Sequence, residues 1–207
     1  ADNLQWEKAI KLDLGIEGKL FNEQVDFTVD FFRDTRNDIF QQRTMVPDYI
    51  GLAEQPFGNV GSMVSYGADG NISFTQDIGK DFSFTLRGNF TYTANMVKNW
   101  EEAFQKYSYQ ERADKPYEYY AGYIALGLFR DEDDVKFSPD QSGIAGRKVL
   151  PGDIKYKDVN GDGVINSDDQ VPLSYKANYP RLMYGFGGEV RWKKLTLGFL
   201  FKGTGNV

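Results

Sequence analysis

The sequence contains neither cysteine nor histidine. Without cysteine there can be no disulfide, no thiolate nucleophile and no cysteine-ligated zinc or iron–sulfur site. Without histidine there can be no Ser-His-Asp catalysis and no imidazole metal ligand. The polar chemistry that remains belongs to carboxylates, lysines, tyrosines and hydroxyls, so a metal site in this chain is expected to use oxygen ligands and a hard cation.

Acidic residues outnumber basic ones, and the sequence has no long apolar run. The chain has 24 basic and 30 acidic residues and a formal net charge of −6. This balance disfavours nucleic acid as a partner, because phosphate binding depends on clustered Lys and Arg. No apolar run reaches the length of about 18 residues that a transmembrane helix needs, and no N-terminal signal peptide is recognisable. The paired carboxylates of the acidic run at 131–134 are typical of a solvated loop or a helix start. Because the sequence also has no His, no Cys and no Gly-rich phosphate loop, no enzyme activity is expected.

What the sequence does contain is a period-two alternation of apolar and polar residues along about six segments. This pattern is typical of strands with one apolar and one polar face. In the clearest segment, polar Thr85 lies between Phe84 and Leu86. The predicted strands lie near residues 9–20, 24–33, 63–75, 82–96, 181–192 and 195–203.

The predicted connections alternate between tight turns and two long loops, 34–62 and 97–180. Outer-membrane β-barrels show this alternation, because one end carries short turns and the other carries long external loops. The charged residues on the polar faces fit a water-filled lumen, and the apolar faces fit lipid. A soluble β-sandwich or lipocalin-like barrel, with one face in the core and one in water, remains the alternative.

Six strands are too few to close a transmembrane barrel, since the smallest barrels have about eight. Open strand edges are not tolerated in hydrocarbon. The membrane interpretation therefore predicts that this chain is a piece of a longer polypeptide. Within the second long loop, Asn99 to Glu102 has the spacing of a helix N-cap with a capping box, so a short helix is expected over 100–112.

A calcium-type loop is predicted at residues 158–169. Gly163 falls at the sixth position, where the sharp turn needs a residue without Cβ, and Ile165 is the apolar anchor at the eighth. Asp169 replaces the usual Glu at the twelfth. Alternate residues of such a loop point their oxygens at one centre. The predicted calcium ligands are Asp158, Asn160, Asp162, Val164 (through its carbonyl), Asn166 and Asp169. An Asx-rich turn that binds no metal is the alternative.

The block from Pro151 to Asn166, together with Asp168 and Asp169, resembles a hallmark segment of the SusC/RagA class of TonB-dependent outer-membrane transporters of Bacteroidetes. Further stretches resemble the same family and keep its order along the chain. They are Asn3–Lys8, Phe27–Arg33, Tyr123–Phe129, and Pro180 with Tyr184–Gly187. The resemblance covers nearly the whole sequence.

The resemblance implies an all-β fold, namely an antiparallel segment of a transmembrane barrel of about 22 strands with long extracellular loops. It implies import of oligosaccharides or peptides across the outer membrane of a Gram-negative bacterium. The expected partners are a SusD-type lipoprotein, outer-membrane lipid, and TonB, which would act through an N-terminal part that this sequence lacks. Calcium is the expected cofactor, with a structural role.

A second function is compatible with the residues alone. In a soluble, calcium-stabilised carbohydrate-binding module, the tyrosines between 107 and 123 would stack on sugar rings. Packing of these rings within the loop is the simpler explanation. The sequence does not identify ligand-contacting residues.

Overall fold

The computed structural model describes residues 4–47, 51, 54–174 and 179–206. Asn3 of the Asn3–Lys8 stretch and parts of both predicted long loops lie outside these ranges. The chain divides into two compact units: the first comprises residues 1–103, 112–117 and 176–207, and the second comprises 104–111 and 118–175.

The elements follow one another in this order. They are β1 (Lys8–Leu20), β2 (Val25–Gln42), β3 (Phe57–Ile78), β4 (Phe82–Asn99), β5 (Tyr120–Gly122), β6 (Ala125–Leu128), α1 (Glu132–Lys136), α2 (Ser142–Ala145), β7 (Ile154–Tyr156), β8 (Val171–Ser174), β9 (Leu182–Trp192) and β10 (Leu195–Gly205). Single 3₁₀ turns occur at Ser108–Gln110 and Ser167–Asp169. None of the helices in the described ranges has the length and hydrophobicity that a membrane crossing requires.

The first unit is a six-stranded sheet in the order β1-β2-β3-β4-β9-β10. Every neighbouring pair is antiparallel, so directly opposite residues lie on the same face of the sheet. Three turns join neighbouring strands. In all three the backbone turns at positive φ, at Phe21, Asn22 and Glu23 in the first, at Gly79 in the second and at Lys193 in the third. The fold is therefore the antiparallel, barrel-type sheet that the alternation predicts.

The register produces rows of like residues that cross the whole sheet. One apolar row is Leu14, Phe31, Ala68, Tyr92, Leu182 and Gly205. The next is Ile16, Val29, Gly70, Phe90, Tyr184 and Gly203. We call the side that carries these rows the apolar face. In the alternate rows, charged, amide and hydroxyl side chains predominate, and these rows form the polar face. The one that follows the Ile16 row is Glu17, Thr28, Asn71, Asn89, Gly185 and Lys202.

The large side chains of the apolar face are exposed. Leu12 is 67 %, Leu197 72 % and Phe201 56 % accessible. In a soluble sandwich such residues would be buried against a second layer. The buried apolar residues of the sheet, Val64, Ala94 and Val97, lie instead near one end of β3 and β4.

Strands β2 and β3 extend farther than the alternation predicted, so the loop placed at 34–62 is shorter. β2 continues to Gln42 and β3 begins at Phe57. The register shifts between Arg36 and Ile39, and Asp38 between them has a φ of 57°. A bulge of this kind changes the phase of the side chains, so the period-two pattern is lost although the ladder continues.

The prediction of a helix over 100–112 is wrong. Only the 3₁₀ turn Ser108–Gln110 forms there. The predicted N-cap, Asn99, instead donates its side-chain amide to the carbonyl of Val60 at 3.2 Å. The neighbouring Glu101 carboxylate accepts from Arg43 Nε at 2.9 Å and from the backbone N–H of Met45 at 3.1 Å. Glu102 accepts from the backbone N–H of Arg112 at 2.8 Å. Long-range contacts thus use the side chains on which the local signal depended.

In the second unit, the acidic run begins a helix. Asp131 is the N-cap of α1, and its carboxylate accepts from the backbone N–H of Asp134 at 2.7 Å. The Asp134 carboxylate accepts from Lys155 Nζ at 2.8 Å and from the backbone N–H of Arg130 at 3.2 Å. These bonds lower the pKa of Asp134 to about 2, so the pair with Lys155 stays ionised through the neutral range and is lost only near that pH.

We predict that Gly67→Ala destabilises the sheet. Phe32 lies directly opposite Gly67, and a Cβ at Gly67 would lie 2.6 Å from Phe32 Cζ and against the carbonyl oxygen of Tyr92. Overpacking of this kind costs about 1–3 kcal/mol, which denaturant titration would measure as a lower free energy of unfolding.

The matched control is Gly88→Ala on neighbouring β4. A Cβ at Gly88 meets its nearest neighbour, Ile72 Cγ2, at 3.5 Å, so this variant should unfold close to the parent protein. Equal destabilisation by the two substitutions would contradict the packing described here.

Candidate metal-binding loop

The loop at 158–169 is folded by hydrogen bonds between its backbone N–H groups and its own Asp and Asn side chains. The Asp158 carboxylate accepts from the backbone N–H groups of Gly161 at 2.6 Å and Gly163 at 2.8 Å. Both glycines have positive φ, 78° and 85°, which glycine adopts without a steric penalty. The N–H groups of Gly163 and Gly161 hold the pKa of Asp158 below its usual range, so its carboxylate is anionic at neutral pH.

The middle of the loop is built from consecutive Asx turns. Asn160 Oδ1 accepts from the backbone N–H of Asp162, and Asp162 Oδ1 accepts from that of Val164, both at 2.9 Å. The amide of Asn160 also donates to Asp162 Oδ2 at 3.0 Å. The first half of the loop is thereby folded by the same side-chain oxygens that are predicted to bind the cation.

Asp169 closes the loop from its C-terminal end and is fully buried. One carboxylate oxygen accepts from the backbone N–H of Val159 at 2.8 Å, and the other accepts from that of Asn166 at 2.9 Å. Asn166 in turn caps the 3₁₀ turn Ser167–Asp169 by accepting from the backbone N–H of Asp168 at 2.7 Å. This carboxylate therefore joins the twelfth position of the loop to the second and the ninth.

The segment around Asp140 contacts the loop in the way that a second calcium-binding loop does in a paired EF-hand. Asp140 donates its N–H to the carbonyl of Gly163 at 2.9 Å and accepts from the N–H of Ile165 at 2.8 Å. These bonds form an isolated parallel bridge opposite Val164. Ile165 is only 1 % accessible, so its side chain anchors the loop in the second unit.

The donor set fits a calcium ion in its chemistry. All six predicted ligands offer oxygen, from three carboxylates, two amides and one main-chain carbonyl, and Ca²⁺ prefers such ligands. Carboxylate oxygens that accept one backbone N–H keep further acceptor capacity. Within the described ranges, no group of three acidic side chains lies close enough together to hold a metal ion by itself. The amide and carbonyl oxygens of the loop would therefore have to complete the coordination of the ion.

A second segment, which the sequence did not predict, contacts the loop. We call residues 106–110 the strap. Tyr109 Oη donates to the carbonyl of Asp168 at 2.5 Å, and Gln110 Nε2 donates to the carbonyl of Ser167 at 3.1 Å. Burial raises the pKa of the Tyr109 hydroxyl, which keeps its proton available for this bond. Nothing in the local sequence signals a contact across nearly sixty residues.

The tyrosines considered as sugar-stacking groups pack largely against neighbouring rings. Tyr107 stacks on Tyr109 with centroids 5.2 Å apart, and Tyr123 contacts the ring of Tyr156 at 5.4 Å. In the first unit, Tyr117 packs edge-on against Trp100 at 5.5 Å. These ring contacts are typical of packing within loops. Tyr120 is more exposed than Tyr117, with 54 % of its surface accessible against 38 %.

Comparison with known proteins adds an independent line of evidence. A family model described as TonB dependent receptor-like, beta-barrel matches residues 1–206. TonB-dependent receptor P26 of Formosa agariphila is 26 % identical over 212 residues, covering 98 % of this chain and 20 % of the relative. TonB-dependent receptor SusC of Bacteroides thetaiotaomicron is 23 % identical, covering 99 % and 20 %.

Solved structures show the same fold. The RagAB peptide importer in its open-open state aligns with a TM-score of 0.66 at 22 % identity, covering 96 % of this chain and 20 % of that one. Its closed-closed state aligns with a TM-score of 0.62 at 25 % identity. The chain thus spans about a fifth of the length of the relatives it matches. The family match over nearly every residue, and the antiparallel sheet that it predicts, show that this chain belongs to the TonB-dependent receptor-like β-barrel family.

Proposed function

We propose that this chain forms part of the wall of a TonB-dependent outer-membrane transporter that imports oligosaccharides or peptides. The observation that carries the proposal is the exposed apolar face of the antiparallel sheet, backed by a polar face on the same strands. A lipid-facing barrel wall needs such a surface on the outside and a wetted surface on the inside. The proposal assigns transport, and no catalysis, to the chain.

The strand edges support the idea that the wall continues beyond this chain. β1 and β10 form the two edges of the sheet. Unpaired edges are too costly in hydrocarbon, and a closed barrel needs at least about eight strands. We propose that further strands of the same polypeptide, which also supplies the plug and the TonB-contacting segment, complete a barrel of about 22 strands.

The polar face supports a water-filled interior. Asp30 and Asp69 lie directly opposite each other on β2 and β3. Like charges in this position destabilise a sheet, and high-dielectric water reduces the repulsion several-fold compared with a protein interior. The pair therefore fits a wet passage better than a sealed core.

The proposed cargo and partners have two sources of support. The structural likeness to the RagAB peptide importer supports peptides as one cargo class. Oligosaccharides as the other class, a SusD-type surface lipoprotein as the partner and the outer membrane of a Gram-negative bacterium as the location are proposed from the resemblance to the SusC/RagA class. The soluble carbohydrate-binding module is disfavoured, because it would leave the apolar face in water.

The transport proposal is tested with the full-length protein that carries this chain. Cells that express it are expected to take up labelled oligosaccharides or oligopeptides, and uptake should stop when either the gene or TonB is removed. Uptake that persists without the protein, or that does not depend on TonB, would overturn the proposal.

The lipid contact gives a sharper prediction on adjacent residues. Val29 lies in a central row of the apolar face and Thr28 lies on the polar face. An arginine facing lipid costs about 2–4 kcal/mol near the bilayer midplane, so Val29→Arg should lower the free energy of folding into vesicles by that amount.

Thr28→Arg is the matched control, because it introduces the same side chain one residue away on the opposite face. It should fold like the parent protein. A larger loss for Thr28→Arg than for Val29→Arg would show that the polar face, and not the apolar face, meets the lipid.

We further propose that the loop 158–169 binds Ca²⁺ as a structural clip. Asp158, Asn160, Asp162, the Val164 carbonyl, Asn166 and Asp169 would hold the ion. The ion would neutralise the three carboxylates and cross-link the ends of the loop. The Asx turns and the buried Asp169 carboxylate support this proposal, since they already fold the loop around its oxygen donors.

Calcium is expected to stabilise the parent protein. Extracellular calcium modules bind at about 10⁻⁴–10⁻³ M, so 10 mM Ca²⁺ should add about 1.4–2.7 kcal/mol by mass action. The double substitution Asp158→Ala with Asp162→Ala should abolish this increment, measured as the difference in thermal unfolding with calcium and with chelator.

Asp133→Ala serves as the control, because Asp133 is an exposed residue in the first turn of α1 and should leave the increment intact. If the parent protein melts identically with calcium and with chelator, the loop does not bind the ion.

A further inference from the structure

The strap contacts the calcium-type loop at one defined place, the 3₁₀ turn Ser167–Asp169. Tyr109 Oη and Gln110 Nε2 donate to the carbonyls of Asp168 and Ser167, the two residues that precede Asp169. Gln110 Nε2 also lies 3.4 Å from the Asp168 carbonyl. The contacts are made to the main chain, so they act on the path of the backbone rather than on any one loop side chain.

A charged contact adds to these hydrogen bonds. Lys106 Nζ lies 3.2 Å from the Asp168 carboxylate and 4.9 Å from the centre of the Tyr107 ring. Tyr107 stacks on Tyr109. The residues of the strap therefore support one another, and Asp168 is paired away from the loop centre, which leaves Asp169 as the carboxylate that turns inward.

The backbone position of Asp169 matters because of its side-chain length. The twelfth position of such a loop usually carries Glu, and Asp is one methylene group shorter. A shorter arm reaches the loop centre only if its backbone comes closer. The 3₁₀ turn is a tighter coil than an α-helix, and here its carbonyls are tied by the strap.

We infer that Tyr109 and Gln110 are positioning residues for the metal loop, which fix the 3₁₀ turn so that Asp169 reaches the ion. This inference rests on the proposed calcium site and adds to it a dependence on a segment nearly fifty residues upstream. Coupling of this kind is reciprocal. The strap raises the affinity of the loop for Ca²⁺, and bound Ca²⁺ holds the strap in place.

The effect on affinity is measured with the full-length protein in detergent, stripped of metal and titrated with Ca²⁺ by calorimetry. Partners that orient metal ligands typically contribute about 10–100-fold in affinity. Tyr109→Phe and Gln110→Ala should each raise the dissociation constant for calcium by about tenfold. Their unfolding in chelator should match that of the parent protein, which a purely structural role would not predict.

Tyr120→Phe is the matched control, because Tyr120 is an exposed tyrosine of the same unit and the same hydroxyl is removed. It should bind calcium like the parent. Hydrogen–deuterium exchange supplies the reciprocal readout. Ca²⁺ should slow exchange at residues 106–110 in the parent protein and have no such effect in the Asp158→Ala, Asp162→Ala variant.

The outcomes separate the inference from the site on which it rests. Weaker binding in both strap variants with normal binding in Tyr120→Phe supports the inference. Normal binding in both strap variants, with calcium bound by the parent, overturns the inference and leaves the calcium site standing. No binding by the parent overturns the calcium site and the inference together.

Discussion

The antiparallel hydrogen-bond ladder is the constraint on which the first unit depends. Because successive side chains alternate across a strand and directly opposite residues share a face, one register sets the environment of the whole sheet. The row through Val29 and Phe90 is apolar along its full width, whereas the next row, through Thr28 and Asn89, is polar. A slip of one residue would exchange the two faces, so the sequence tolerates a single pairing.

This constraint also explains why the sheet could be predicted from the sequence and where the prediction stopped. Alternation indicates a strand only while its phase is kept, as it is from Phe82 to Asn95. At Asp38 the left-handed backbone and the register shift break the phase, and the extension of β2 to Gln42 left no periodic trace. The ladder continues beyond this point, where Asn59 Nδ2 donates to the Asp38 carbonyl at 2.7 Å, a contact that the local sequence does not indicate.

The long connection between β4 and β9 shows the opposite balance between local and distant information. The turns of the calcium-type loop were predictable, because Asp, Asn and Gly side chains determine them within a few residues. The false helix at 100–112 arose from an equally local signal, yet Asn99 donates to the carbonyl of Val60 and Glu102 accepts from the backbone N–H of Arg112. A capping signal predicts a helix only when no distant donor competes for the carboxylate, and one sequence cannot show that competition.

The supports of the loop lie beyond the reach of sequence for the same reason. An isolated calcium-type loop lacks the partner hand that normally steadies it, and here two unrelated segments take that place. Asp140 bridges the backbone on both sides of Val164, and the strap ties the turn that carries Asp169. Both segments form hydrogen bonds with main-chain groups of the loop. Every residue type has such groups, so no sequence pattern predicts these contacts. The candidate ligands of the loop could thus be picked out by residue type and spacing, whereas the contacts that support the loop become visible only when the chain is folded.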